Sequence, residues 1–359
     1  MKKILFFAAA AIMMVGCSSD QVVSEMPQDN AINFGMYFGR DAQSRAAIMK
    51  TEDLKNFGVF AYYTEDDAYV ENSFTPNFMF NQFVEYKDGA WTYSPLKYWP
   101  NNLDDKLSFF AYAPHIKQSN GNIALADGFT KTSASAPSIT YQLNADQSKH
   151  VDLLWAEPVM DKSKQKTTEK VHFIFKHAMS RIGFKSVAVI DEGSGDLNGE
   201  IDNGSHPNTL DGNTKITLKS IKLTGNFYQG GTLNLKTGNW TSSGLASREY
   251  NWSTFKESNV TTTKVPVLND GDYLTVLPNT QNIQIEVVYT VKTTDGSLAL
   301  GYSEVTNKIA SGSFDFEFKQ GYAYNFVLHV GLTSVKFSAD VTPWDGATED
   351  IVVNVPLNE

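Results

Sequence analysis

Cysteine is almost missing from these 359 residues: Cys17 is the single example, so no intrachain disulfide can staple the fold and no thiolate cluster can hold a metal. Positive charge is also in deficit. Thirty Lys and Arg stand against 40 Asp and Glu, a net charge of −10, which argues against nucleic acid or an anionic membrane surface as a partner. Long apolar runs are lacking too; the longest, Ile4 to Val15, is too short to span a bilayer. Catalytic signatures are equally scarce. The chain carries no HExxH, no G-x-S-x-G elbow, no P-loop and no dinucleotide fingerprint, so the sequence reads as a non-enzyme without a cofactor.

What is present begins with an export signal. Met1-Lys2-Lys3 is a basic start, Ile4 to Val15 an apolar core, and Gly16 a small residue directly before Cys17. That order looks like a bacterial lipobox, in which residues 1–17 are a signal peptide and Cys17 is lipidated. An ordinary secretory signal with an incidental cysteine is the alternative. The following residues, to Asn30, are polar and aperiodic and read as a tether.

From Ala31 onward, period-2 alternation dominates. It appears in Ile32-Phe34-Met36-Phe38, Val171-Phe173-Phe175, Ile283-Ile285-Val287-Tyr289, Phe314-Phe316-Phe318 and Tyr322-Tyr324-Phe326-Leu328-Val330. Such runs between Gly, Asn, Asp and Ser clusters predict antiparallel, half-buried strands, hence an all-β fold of paired sandwiches. Only Asp41–Asn56 offers room for a short helix. The Lys/Thr/Ser-rich stretch 160–170 reads as an inter-domain linker, and Asp191–Asn213 as a long surface loop.

Candidate chemistry is thin. His115, His150, His172, His177, His206 and His329 are scattered; His172 and His329 lie in alternating strands, where a structural imidazole outweighs a metal ligand. Asp66-Asp67 and Asp104-Asp105 are adjacent acids, which normally face solvent instead of forming a hydrolytic pair. The loop 191–198 offers oxygen ligands in a spacing that does not match a calcium loop. Trp91, Tyr93, Tyr98 and Trp99 stack on sugars in one reading and fill a core in the other.

One constellation rises above this background. Ile32, Phe34, Met36 and Phe38 line one face of the first strand, and Ile351, Val353, Val355 and Leu357 one face of the last. Arg40 and Arg45 lie between the first strand and the body, in a polar stretch open to a trypsin-like protease. Removing a strand with four buried apolar side chains costs roughly 6–12 kcal/mol, comparable to the ~5–15 kcal/mol stability of a domain. An empty slot therefore needs refilling, and a strand from another chain can do so head to tail. Both segments as ordinary edge strands of one monomer is the equal alternative from alternation alone.

The chain resembles the fimbrillin (Mfa-like) family of type V pilus subunits. The likeness rests on Ile32-Asn33-Phe34 with Ser44-Arg45-Ala46, Phe57-Gly58-Val59-Phe60-Ala61-Tyr62-Tyr63, Trp91 to Pro95 with Lys97-Tyr98-Trp99-Pro100, and Leu107 to Pro114. It continues through Phe175-Lys176-His177-Ala178-Met179-Ser180, Gly321 to Phe326 and Val341-Thr342-Pro343-Trp344. The resemblance implies two transthyretin-like antiparallel β-sandwich domains, over 46–166 and 167–359, after a tether and removable first strand in 18–45. It implies an outer-membrane lipoprotein precursor, cut after an arginine by an arginine-specific protease, then a surface fimbrium built with other pilus subunits, copies or paralogues, by donor-strand exchange. Arg45 fits the processing position better than Arg40. Pro356, which has no N–H for a ladder, weakens the tail as a donor. The competing expectations are a tip or anchor subunit, or a non-polymerising surface lipoprotein that binds glycans or host proteins.

Overall fold

The computed structural model describes residues 30–38, 54–164, 170–189, 213–332, 334–344 and 351–354, with the backbone alone for Tyr37, Phe38 and 351–354. Among them are twenty-one strands, two single-turn 3-10 segments and no α-helix. The fold is all-β, as alternation without a sustained helical stripe requires.

The first sheet contains β1 (Phe34–Phe38), β10 (Val171–His177), β8 (Leu154–Ala156), β5 (Leu107–Ala113), β2 (Asn56–Tyr63), β3 (Met79–Lys87) and β4 (Ala90–Thr92) in that spatial order. A further short strand, β9 (Val159–Lys162), also pairs with β5. Both faces of its central strands, β2 and β5, are buried. Phe57, Val59 and Ala61 of β2 point into one core with Phe109, Phe173 and Phe175. Phe60 and Tyr62 of the same strand point into another with Phe110 and Tyr112. A strand apolar on both faces sits in the middle of a layered body.

A second sheet runs β15 (Val265–Pro266), β11 (Ser180–Ala188), β19 (Tyr322–Val330), β20 (Val335–Pro343), β21 (Ile351–Asn354), with β16 (Leu274–Val276) also on β11. A third runs β18 (Tyr302–Phe318), β17 (Asn279–Thr294), β12 (Thr214–Asn234), β7 (Ser138–Gln142), β6 (Ile123–Leu125), while β13 (Trp240–Trp252) and β14 (Asn259–Val260) pair with β12. The second and third sheets enclose a sandwich core that includes Phe184, Leu223, Ile285, Phe316 and Phe326. β12 is 21 residues long: its first part pairs with β17, and its far end, Gly230–Asn234, with β7. That far end carries Leu233 into the core it shares with Phe60 and Tyr62, so one strand ties the two bodies together.

Two features of the topology lie outside what alternation specifies. The sheets are largely antiparallel, yet β1 pairs parallel with β10, and β11 pairs parallel with β19. Period-2 alternation specifies which face is buried and carries no information on strand direction. The stretch 160–170 does not separate the sheets. It connects β9 to β10, both in the first sheet, while β6 and β7, which precede residue 166, lie in the third. Phe173 and Phe175 need apolar cover, and the core beside Phe57 supplies it; a polar connection between neighbouring strands is enough to explain 160–170.

Candidate functional site: the slot of the first strand

β1 is an edge strand that contributes to a core. Ile32, Phe34 and Met36 are 0%, 2% and 7% exposed, on the face the alternation assigns them. The Phe34 ring meets Tyr93 at 5.3 Å, stacks on Phe173 at 5.8 Å, and meets Phe57 and Phe109 edge-on at 6.0 and 6.3 Å. On one side the backbone is laddered to β10 in the register Phe34↔Val171 to Phe38↔Phe175, and the Val171 amide donates to the Asn33 carbonyl at 2.8 Å.

On the other side a clip holds the start of the strand. The Ile32 amide donates to the Lys97 carbonyl at 2.8 Å, and the Trp99 amide donates to the Asn30 carbonyl at 3.0 Å. The Tyr93 hydroxyl donates to the Ile32 carbonyl at 2.7 Å. Burial pushes the Tyr93 hydroxyl up to about 12, so it stays protonated and able to donate across the physiological range. The sequence left Trp91, Tyr93 and Trp99 between sugar platform and core. All three pack against the core that holds Phe34.

Gly35 marks the closest approach to β10. A Cβ there would lie 2.5 Å from His172 Nδ1 and 2.6 Å from its Cε1, because the imidazole lies over the bare glycine backbone. Alternation alone gives no sign of this contact. The Ile32-Asn33-Phe34-Gly35 run offered one signal, a glycine inside a strand, which often marks a close approach.

The last strand lies elsewhere. β21 pairs antiparallel with β20, in the register Val341↔Ile351 to Ser338↔Asn354, at the edge of the second sheet. The two terminal strands thus occupy different sheets, and the tail must leave β20 before it can serve another molecule. Beneath this edge, Asp340 of β20 is 1% exposed and takes Lys185 Nζ at 2.7 Å and Lys264 Nζ at 2.9 Å. Burial pushes its carboxyl up, but the two lysine hydrogen bonds outweigh that and hold it below the ordinary value. Ile351 and Val353 are in β21; Cys17, Arg40, Arg45, Val355, Leu357 and the loop 191–198 lie outside the described residues.

At the end of β10, His177 stacks on Trp344 with centroids 3.9 Å apart and planes 2° from parallel, and its Nδ1 is 2.8 Å from Asp152. The Arg181 guanidinium lies over Tyr273 at 4.6 Å and Trp344 at 5.4 Å. Trp344 follows β20, so this cluster joins the strand that holds β1 to the segment leading toward β21. Of the paired acids, Asp105 is buried and accepts from Tyr63 Oη at 2.7 Å and Asn102 Nδ2 at 2.9 Å, a structural use of a carboxylate that adjacency did not reveal. Among the described residues, no group of three or more His, Cys, Asp or Glu is placed to hold a metal ion.

A protein-family model described as fimbrillin-like matches residues 44–344. The chain belongs to the fimbrillin-like family. Both terminal strands flank the matched region. Among curated proteins, this fimbrillin-like chain is 28% identical over 192 residues to a fimbrium subunit, Fim1C, of Phocaeicola vulgatus. The match covers 50% of each chain, so it spans about half the length of that relative. Among solved structures, a fimbrial protein from Bacteroides vulgatus superposes with a TM-score of 0.64 at 21% identity, covering 88% of this chain and 99% of that one. A structure from Bacteroides ovatus, described as a candidate cell adhesion protein, gives a TM-score of 0.50 at 15% identity over 89% and 99%. At these identities the solved structures speak to the fold.

Proposed function

We propose that this fimbrillin-like protein is a structural subunit of a surface fimbrium, exported as a lipoprotein through Cys17, cut after Arg45, and joined to other subunits by strand replacement in the slot of β1. The observation that carries the reading is the double character of β1. It is an edge strand, joined to the body by one ladder and a short clip, yet together with Ile32 just before it the strand supplies three buried side chains to a core. Full burial of Ile32, Phe34 and Met36 is worth roughly 4–9 kcal/mol, an upper bound that the empty slot forfeits. The ladder partners on β10 would also be left bare in an apolar setting. A strand from another chain restores both, and because such a contact is heterologous it repeats without closing.

The reading assigns a membrane-anchored precursor first and a fimbrium afterwards, with pilus subunits and an arginine-specific protease as partners. Incubating the full chain with such a protease tests it. The expected result is loss of the segment through Arg45 and, with partner pilus subunits present, the appearance of heat-sensitive oligomers on a gel. Arg45→Ala should abolish them, whereas Arg40→Ala should not. A chain that is cut after Arg45, retains its first strand and stays monomeric would refute the reading.

A further inference from the structure

The slot of β1 has a shape requirement that the chain's own tail does not meet. Inward, it takes apolar side chains at the positions of Ile32, Phe34 and Met36. Outward, opposite His172, a side chain fits only if the His172 ring moves aside. The His172 ring occupies the space that a Cβ at Gly35 would need, at 2.5 and 2.6 Å from two of its atoms. A cross-strand ring folded over a glycine shields backbone that a side chain would otherwise cover.

Laying the tail into the slot with Ile351, Val353 and Val355 in place of Ile32, Phe34 and Met36 puts Asn354 where Gly35 stands. Moving it by two residues in either direction brings Val352 or Pro356 to the same place. Reversing the strand changes nothing, because the residues that alternate with the apolar set are always Val352, Asn354 and Pro356, and none is glycine. Pro356 carries a second penalty, since it has no amide for the β10 ladder. Every in-phase placement of the tail therefore forces His172 from its position over the strand.

We infer that the strand this slot is built to receive carries glycine opposite His172, and that it comes from a different pilus subunit and not from a second copy of this chain. The inference rests on the strand-release reading above and names its partner. His172 and Gly35 together act as the discriminating pair, and self-assembly is slow because the tail fails at that one position.

The test uses the full chain, cut at Arg45, with synthetic peptides of the residue 30–38 sequence. The native peptide should be taken up about tenfold more tightly than its Gly35→Asn form, the scale expected for forcing extra atoms into a packed site. His172→Ala should shrink that ratio to about two or less, and Asn354→Gly in the full chain should speed formation of self-oligomers about tenfold. The uncut chain gives an independent readout: Gly35→Asn should lower Tm, with part of the loss recovered when His172→Ala is added. Equal uptake of the two peptides, or no recovery in the double variant, overturns the partner assignment and leaves strand release standing. Failure of the cut chain to take up even the native peptide overturns strand release and the assignment with it.

Discussion

Replacing Phe34 by alanine gives the sharpest energetic test of whether the first strand belongs to the core. The ring is 2% exposed and sits among four aromatic partners between 5.3 and 6.3 Å away. Truncating a buried phenylalanine costs about 3–5 kcal/mol, because transfer energy is lost and the surrounding rings cannot fully collapse into the gap. At about 2–4 °C per kcal/mol for domains of this scale, Tm of the uncut chain should fall by roughly 6–20 °C. The same loss should appear kinetically after cutting at Arg45. A 3 kcal/mol weaker hold on the strand corresponds to release about a hundredfold faster, read by mass spectrometry of the freed segment. Leu300→Ala, at a residue 77% exposed, is the control and should stay within about 0.5 kcal/mol of the parent. If Phe34→Ala costs less than about 1 kcal/mol, the strand is not a core element, and removing it could not drive assembly.

Other outcomes follow from named contacts. Tyr93→Phe removes the hydroxyl that donates to Ile32 O, so it should cost about 1 kcal/mol and raise the release rate about fivefold while the fold is kept. Asp340→Asn leaves Lys185 and Lys264 without their counter-charge and should cost about 3–5 kcal/mol in a denaturant melt. Acid titration should show a histidine contribution. His329 is held down to about 4 by burial, reinforced by Lys264, so between pH 6.5 and about 4 the unfolded chain binds the proton and the folded chain does not. Stability should therefore fall as pH drops through that window, and His329→Gln should flatten the slope there. Asp340, whose carboxyl is also lowered, acts in the same direction over a more acidic window: its stabilisation is complete above the ordinary carboxylate range and is lost as pH falls below it.

The faces of the strands were legible from residues alone. Val171, Phe173 and Phe175 are buried in the order their alternation predicts, as are Ile283, Ile285 and Val287. β19 shows where alternation runs out. Tyr324, Phe326, Leu328 and Val330 are buried as expected, but Ala323 and Val327 on the opposite face are buried as well, because other layers cover both sides. Direction was not legible. Nothing in Phe34 to Phe38 distinguishes a parallel from an antiparallel neighbour, since both place alternate side chains on one face. Nor did the sequence reveal that β10 is the neighbour, because pairing across more than a hundred residues depends on the whole sheet order. The Tyr93 clip, Gly35 beneath His172, and the His177–Trp344 stack are all contacts between distant segments, which local pattern cannot encode. Family resemblance supplied the functional frame, and the family match bears out the membership over residues 44–344. The terminal strands, outside that match, rest on their own geometry.

The most direct measurement follows backbone amide exchange along Val171–Phe175 in three states: uncut, cut after Arg45 with the released segment removed, and cut chain supplied with a glycine-bearing strand. Slow exchange, then fast, then slow again is the predicted sequence, since the Val171 amide and its ladder neighbours face β1. Protection that survives loss of the first strand with no added strand present would contradict the account, because β10 would then have no slot in need of filling.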